Sequence, residues 1–372
     1  MNIQLTLLLI LWYNMYKYHI IGGKIMFKFE EEYVIKKLKE LLAIDSTTGY
    51  FRPIQDYLVG EMKKLNIASE EVHKGGVIAD IGGEGDPLVI MAHGDDIGLM
   101  VRYIKDNGAL VVTKVGGLRE EDATGVICRL HTRDKRVYTG CVRRVHSCVH
   151  VRPEADNNAP LNYETNMEFV LDEDIKCKQD VVDLGIRVGD IIALDAGFHM
   201  NNGYITSRFL DDKACIAVLL GVMKYIKENK IICKRNVKAF FTMFEEIGHG
   251  GSYLPEGTKD IISLDIAPVS PAQVSNEKKV SLFAMDSRFP YNYEMLTELV
   301  EAAKKADVSY EIDVFTPRYG TDSDFAMTAG NNVRHAAIGP GTIGSHGYER
   351  THIDSLNNMY QLLLQYLIGE NI

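Results

Sequence analysis

The sequence predicts an α/β protein whose core is interrupted by a small all-β domain. Helical and strand-like apolar patterns alternate near both ends of the chain, whereas residues from about 98 to 203 contain short strand-like runs and no long helical pattern. The chain has 372 residues, more than one compact domain usually needs. We therefore expect a discontinuous core, residues 26–96 and 204–372, and an inserted domain at residues 97–203.

The first part of the core is expected to contain two helices followed by two strands. Apolar residues at helical spacing predict a helix over residues 30–43, and a second helix is expected from Ile54 to Leu65. Strands are expected at Val77–Ile81 and Leu88–Ala92, and the second is almost wholly apolar, as in a strand covered on both faces.

The insertion and the second part of the core differ in the secondary structure that their sequences predict. Gly, Asp and Asn separate the short strands expected within the insertion, which are Leu99–Ile104, Leu110–Lys114, Val126–Leu130, Val137–Val142 and Asp190–Leu194. After Tyr204 helices and strands alternate again. The expected helices are Asp212–Lys227, Tyr293–Ala306 and a final one striped by Leu356, Met359, Leu363 and Leu367, and the expected strands are Val237–Phe244, Ile261–Leu264 and His335–Ile338.

The composition is that of an ordinary soluble globular protein, with 46% hydrophobic and 25% charged residues. The 41 Lys and Arg residues against 51 Asp and Glu residues give a formal charge of -10. Nucleic acid is not expected as a partner, because phosphate binding needs a basic face. The six cysteines follow no regular framework, which favours reduced thiols in a cytoplasmic protein.

The amino terminus contains an apolar run, Leu5–Trp12, which is too short to span a membrane. It lacks a preceding basic segment and an Ala-x-Ala type cleavage site, and Met26 directly precedes the first expected helix. We interpret residues 1–25 as a dispensable extension and expect no membrane partner. A secretory signal is the alternative interpretation.

Potential metal ligands stand just beyond the apolar, strand-like runs. They are His93 and Asp95, the pair Asp211-Asp212, the pair Glu245-Glu246, Asp265, and His346 in a Gly-rich loop. In open α/β sheets, sites form where loops converge at the carboxyl ends of strands. Each position alone has an ordinary explanation, since acidic pairs often cap helices and a single histidine is usually on the surface or satisfied in the core. Their common placement predicts one site.

Two imidazoles and three carboxylates suit Zn²⁺ or Co²⁺, with Mn²⁺ as an alternative. Two metals need a carboxylate between them, and a further carboxylate must carry the proton from water to the leaving amine. Adjacent glutamates can divide such work, because neighbouring side chains on an extended segment point in different directions.

The ordered motifs resemble those of the glutamyl and tetrahedral aminopeptidases, a family of dinuclear metallopeptidases. The resemblance covers roughly residues 27–370. It is carried by His93-Gly94-Asp95-Asp96-Ile97-Gly98, Leu210-Asp211-Asp212-Lys213, Glu245-Glu246-Ile247-Gly248, Asp265, Gly320-Thr321-Asp322 and the His346 loop. It implies a zinc-exopeptidase-like core with a mixed sheet flanked by helices, an inserted β dimerisation domain, and a homo-oligomer between a dimer and a dodecamer.

The resemblance also implies a role for each matching residue. His93 and Asp265 would hold one divalent metal ion, Glu246 and His346 the other, and Asp211 would bridge the two.

The remaining two roles are transfer of the proton from water and orientation of the His93 ring. Glu245 would be the general acid/base that drives a metal-activated water onto the peptide bond, and Asp95 would orient His93. The expected function is removal of N-terminal residues from peptides.

The chain departs from the family pattern at two places. Asp96 replaces the usual Glu of His-x-Asp-Glu-Ile-Gly, and Ser345-His346-Gly347-Tyr348-Glu349 differs from the usual His-Ser-Pro, so that His352 is an alternative ligand. Other dinuclear exopeptidases or deacylases, such as carboxypeptidases and dipeptidases, are the alternative enzymes. A non-catalytic peptidase-like scaffold is the third hypothesis.

Overall fold

The computed structural model describes residues 18–21 and 24–368. The apolar run Leu5–Trp12 lies outside the described residues. Within the described part of the chain, no helix combines the length and the apolar character needed to cross a membrane.

The first part of the core forms a β-ribbon, two helices and three strands of the central sheet. The buried stripe Val34, Leu38 and Leu41 fixes the inward face of the first helix, because residues three and four apart share one side of a helix. In chain order the elements are β1 (Tyr18–Ile21), β2 (Lys24–Phe27), α1 (Glu31–Leu42), α2 (Arg52–Lys64), β3 (Ser69–Glu71), β4 (Val77–Gly82) and β5 (Pro87–His93).

The inserted segment forms a closed β-barrel. Its helices are single turns or little more, which explains why the sequence carries no long helical pattern there. The elements are β6 (Gly98–Ile104), β7 (Leu110–Val115), α3 (Glu120–Ala123), β8 (Ile127–His131), β9 (Val137–Arg144), α4 (Glu154–Asn157), β10 (Met167–Leu171), α5 (Lys178–Asp183) and β11 (Ile191–Leu194). Around the barrel the strands pair in the order β10-β7-β6-β11-β8-β9.

The second part of the core supplies the remaining strands and the longest helices. The elements are β12 (His199–Asn201), β13 (Tyr204–Ser207), α6 (Leu210–Glu228), β14 (Asn236–Thr242), β15 (Asp260–Leu264), β16 (Ala267–Pro268), β17 (Val280–Met285), α7 (Tyr293–Ala306), β18 (Tyr310–Val314), α8 (Asp322–Thr328), β19 (Arg334–Thr342), β20 (Glu349–His352) and α9 (Ile353–Ile368).

The central sheet is mixed, in the order β18-β17-β19-β15-β5-β14-β4-β3, with β16 paired along β19. The neighbours β14, β5, β15 and β19 run parallel, whereas β4 and β3 on one side and β17 on the other join antiparallel to their inner neighbours. Because the four central strands share one direction, the loops that follow them meet at one edge of the sheet.

Both faces of the sheet are covered. In β5, Leu88 and Ile90 belong to the large hydrophobic cluster that also contains the apolar faces of α1, α2, α6, α7 and α9, whereas Val89 and Met91 belong to a second cluster with Leu254 and Ala326. Successive side chains of a strand point to opposite faces. This two-sided burial is why the β5 sequence is apolar without alternation.

The predicted fold class is confirmed: an α/β core with a mixed sheet carries a separate small β-barrel. The sequence analysis did not predict β17, β18 or α8. The strand β12 lies before residue 204 but pairs with β13, which pairs with β20 of the core. The boundaries at residues 97 and 203, and the dimerisation role of the insertion, stay predictions.

Candidate metal centre

The candidate ligands gather at the carboxyl edge of the parallel strands. His93 is the last residue of β5, Glu245 and Glu246 follow β14, and Asp265 follows β15. Asp211 lies at the start of α6, and His346 lies between β19 and β20. Segments far apart in sequence therefore place their polar side chains in one region.

Among the residues that the structure describes, two groups of side chains could each hold a metal ion, and the groups share one member. The donor atoms of His93, Asp211 and Asp265 all lie within 4.8 Å of one another, and so do those of Asp211, Glu246 and His346. These five residues are the ones proposed from the sequence, and the structure brings them together in these two groups. Their role as metal ligands stays a prediction.

The Asp211 carboxylate faces both groups. Its Oδ1 lies 3.0 Å from His93 Nε2, and its Oδ2 lies 3.8 Å from His346 Nε2. The Glu246 Oε2 atom lies 3.3 Å from the same His346 nitrogen. Asp211 thus has one oxygen directed toward each histidine.

The ring orientation of His93 is set by the backbone. His93 Nδ1 lies 3.0 Å from the carbonyl oxygen of Asp95, which can only accept, so Nδ1 carries a proton and Nε2 is the atom available to a cation. The Asp95 carboxylate lies farther from the ring, at 3.8 Å. That carboxylate accepts hydrogen bonds from the backbone N–H of Glu245 at 3.1 Å and from the Thr48 hydroxyl at 2.7 Å.

Asp95 therefore differs in detail from the expectation. It reaches His93 chiefly through its main chain, and its side chain holds the segment that carries Glu245. Glu245 belongs to neither group of candidate ligands, although its Oε2 lies 3.7 Å from His93 Nε2. A buried carboxylate beside the centre but outside the ligand groups can transfer protons.

The site has an excess of buried negative charge. Burial and the charge of Asp211 raise the pKa of both Asp265 and Glu246 well above their ordinary values. Burial also raises the pKa of Glu245, and it outweighs the opposing effect of His93. Asp212 Oδ1 is buried without a hydrogen-bond partner among the described residues. Divalent cations would neutralise this charge, so the residues present fit a metal centre.

Strained backbone conformations occur in the segments that carry the site. Phe209, Phe244 and His346 have φ values of 64°, 72° and 65°, in the left-handed region that bulky residues rarely adopt. Phe244 ends the extended run before Glu245, which explains why β14 stops at Thr242, two residues earlier than predicted. The peptide bond between Asp211 and Asp212 is cis.

Two residues that the sequence analysis did not assign hold the candidate ligands. The buried Glu349 carboxylate accepts the backbone N–H of Asp211 at 3.0 Å through Oε2 and that of His346 at 3.2 Å through Oε1. The Tyr319 hydroxyl donates to Asp265 Oδ1 at 2.6 Å. For Glu349, its position three residues after His346 is a weak signal in the sequence. For Tyr319 the sequence offers no signal.

The alternative ligand His352 lies outside both groups. Its Nδ1 accepts the backbone N–H of Asp354 at 3.1 Å, and its Nε2 lies 3.3 Å from the carbonyl oxygen of Asn202. Both ring nitrogens are thus engaged away from the site.

A cleft of about 1650 Å³ opens over the centre. Its lining includes the candidate site residues Asp211, Glu245, Glu246, Asp265 and His346. Aromatic and charged side chains line the rest of the cleft. The space exceeds that of a typical small-molecule pocket, about 300–1,000 Å³.

Comparison with known proteins gives the family. The sequence profile of the M42 glutamyl aminopeptidases matches residues 75–362. The chain is 35% identical over 334 residues, 89% of its length and 96% of the relative's, to Bacillus subtilis (strain 168) YhfE, whose name describes it as a candidate aminopeptidase. It is 23% identical over 319 residues, 82% of its length and 86% of the relative's, to the glutamyl aminopeptidase of Lactococcus lactis subsp. cremoris (strain MG1363).

Among solved structures, the Pyrococcus horikoshii TET1 peptidase has a similar fold, with a TM-score of 0.80 and 22% identity over 90% of this chain and 99% of that one. That peptidase can assemble into a tetrahedron or a large octahedral shell. The family profile covers most of the core and the whole barrel, and the relatives match over nearly their full length, so the chain belongs to the M42 glutamyl aminopeptidase family and is a metal-dependent aminopeptidase.

Proposed function

We propose that each subunit of this aminopeptidase holds two divalent cations, one between His93 and Asp265 and the other between Glu246 and His346, with Asp211 as the shared ligand. The observation that carries the proposal is that the two groups of candidate ligands share Asp211 and no other residue. A carboxylate can serve two metals because each of its oxygens can bind one.

The donor set of two imidazoles and three carboxylates suits Zn²⁺ or Co²⁺, and Mn²⁺ would also be accepted. When bound, such cations polarise the scissile carbonyl and lower the pKa of the attacking water.

Glu245 is the proposed general acid/base. Its carboxylate takes a proton from water as the oxygen attacks the carbonyl carbon, and it returns the proton to the amine nitrogen as the C–N bond breaks. The hydrogen bond from the Glu245 backbone N–H to Asp95 supports this role, because it fixes where the Glu245 side chain begins. The His93 ring, held through Nδ1, presents Nε2 in the same region.

The proposed substrates are peptides with a free N-terminus. The size of the cleft supports this choice, since a peptide segment needs more space than a single small molecule. We also propose a homo-oligomer, between a dimer and a dodecamer, and the closed assemblies of the P. horikoshii relative support an oligomer. A cytoplasmic location is proposed because the six cysteines follow no regular disulfide framework. Light scattering on the purified protein measures the subunit number directly.

Two neighbouring glutamates provide the test of the site. Glu245→Gln should keep two cations per subunit and lose peptide hydrolysis by about 10²–10⁴-fold, because it removes the proton carrier but no ligand. Glu246→Gln should bind fewer cations, because a neutral amide is a weaker ligand than a carboxylate. Glu121→Gln, in the wall of the same cleft, should change neither property.

Metal content by mass spectrometry and hydrolysis of a free-amine peptide are measured on the same preparations. Wild-type turnover in Glu245→Gln would remove Glu245 from the proton transfer. Two cations bound with wild-type affinity in Glu246→Gln would remove Glu246 from the ligand set.

A further inference from the structure

Tyr319 contacts a candidate metal ligand from the wall of the cleft. Its hydroxyl lies 2.6 Å from Asp265 Oδ1 and 2.5 Å from the carbonyl oxygen of Ile266. A phenol has one proton to donate, and an ionised carboxylate is a stronger acceptor than a backbone carbonyl. The hydroxyl is therefore directed at the carboxylate of Asp265.

The Tyr319 ring is held in place independently of that hydrogen bond. It packs against Phe283 and Phe315, with ring centroids 5.7 and 5.5 Å away. Its backbone carbonyl accepts the N–H of Ser287 at 3.2 Å. The phenol oxygen thus occupies a position fixed by neighbouring aromatic rings.

Asp265 has a fixed main chain but few constraints on its side chain. Its backbone N–H donates to the carbonyl oxygen of Ile338 at 3.1 Å. Among residues 18–21 and 24–368, Tyr319 is the hydrogen-bond donor to the Asp265 carboxylate. Without the phenol, no hydrogen bond from the described residues would hold the carboxylate in one rotamer.

We propose that Tyr319 is a positioning residue for metal binding: its hydroxyl holds one oxygen of Asp265 and so orients the carboxylate toward the cation shared with His93. The inference rests on the proposed two-cation centre. Ligating carboxylates are commonly hydrogen-bonded by neighbouring groups, and loss of such a partner typically lowers metal affinity about 10–100-fold.

A second tyrosine provides a matched control. The Tyr291 hydroxyl also donates to an aspartate at 2.6 Å, but its acceptor, Asp286, belongs to neither group of candidate ligands. Tyr291 is buried and Tyr319 is partly buried, and both rings pack against Phe283. Tyr319→Phe and Tyr291→Phe therefore each remove one tyrosine hydroxyl from the same aromatic cluster. The hydroxyl of Tyr319 contacts a candidate metal ligand, whereas that of Tyr291 does not.

The experiment titrates metal-free wild-type, Tyr319→Phe and Tyr291→Phe proteins with Co²⁺ in the presence of a competing chelator, and follows the visible absorption of the bound ion. We expect Tyr319→Phe to bind one of its two Co²⁺ ions about 10–100-fold more weakly and to change the Co²⁺ spectrum. Tyr291→Phe should keep the wild-type spectrum and bind both ions with wild-type affinity.

Three other results would contradict the proposals, two of them the positioning role of Tyr319 and one the two-cation centre. A wild-type affinity and spectrum in Tyr319→Phe would overturn the positioning role alone. An equal loss of affinity in both variants would also overturn it, because the effect would then come from general loosening of the aromatic cluster. Failure of the wild-type protein to bind two Co²⁺ ions would contradict the proposed centre itself.

Discussion

Gly339 lies directly against the backbone of Asp265, a candidate ligand. It belongs to β19, and a Cβ atom added at this position would lie 1.4 Å from the carbonyl oxygen of Asp265 and 2.6 Å from its carbonyl carbon. Ordinary contacts of a Cβ atom begin near 3.4 Å. In Gly339→Ala the backbone near Asp265 must therefore move by about 2 Å, an overpacking that rigid atoms cannot absorb.

The expected cost follows from this displacement. Overpacking a close contact of this kind costs about 3 kcal/mol or more, and loss of the hydrogen bond from Asp265 N–H to the Ile338 carbonyl adds about 1 kcal/mol. The free energy of unfolding should therefore fall by about 4 kcal/mol or more. Gly60→Ala is the matched control, because Gly60 lies inside α2 with no atom within 4 Å of an added Cβ. It should raise stability by about 0.5–1 kcal/mol.

The assay is urea unfolding followed by circular dichroism on the metal-free proteins, so that cation binding does not contribute to stability. Metal content after reloading is measured on the same samples, and Gly339→Ala should retain fewer cations than wild type because Asp265 has moved. A Gly339→Ala protein with the wild-type unfolding midpoint would refute the close-contact reasoning.

Two further predictions concern charged side chains that are wholly or partly buried and do not line the cleft. Burial tends to raise the pKa of Asp45, but hydrogen bonds from His131 and Arg129 lower it to about 2. The stability that this provides, about 2 kcal/mol, is present above the unfolded pKa near 4 and is lost as pH falls toward 2, so acid unfolding of Asp45→Asn should depend less on pH in that window; an unchanged pH profile would contradict this. Lys213 Nζ lies 2.6 Å from Asp96 Oδ2, and both residues are buried. Lys213→Met should lower the free energy of unfolding in urea by about 3–5 kcal/mol, because it leaves an uncompensated buried carboxylate, and a loss below 1 kcal/mol would contradict this.

The sequence predicts where the candidate ligands lie because the ends of buried strands can be recognised in it. The apolar run before His93 marks a strand buried on both faces, and parallel strands bring the ends of such runs to one edge. The same reasoning placed Glu245 and Asp265 beside His93.

The contacts that hold the ligands were not predictable in the same way. Tyr319 reaches Asp265 across 54 residues, and its segment carries no periodic pattern that would place its hydroxyl. The left-handed backbone at Phe244 contradicts local preference, so propensity alone extends the strand before Glu245 two residues too far. The Asp95 carboxylate took a different partner from the expected one because Glu245 N–H lies within hydrogen-bonding distance of it.

The central claim is that two cations share Asp211. Anomalous diffraction from crystals of the Zn²⁺- or Co²⁺-loaded protein tests it most directly. The account predicts two peaks per subunit, one in contact with His93 and Asp265 and the other with Glu246 and His346, and both in contact with the Asp211 carboxylate. A single peak, or two peaks of which one does not touch Asp211, would contradict it.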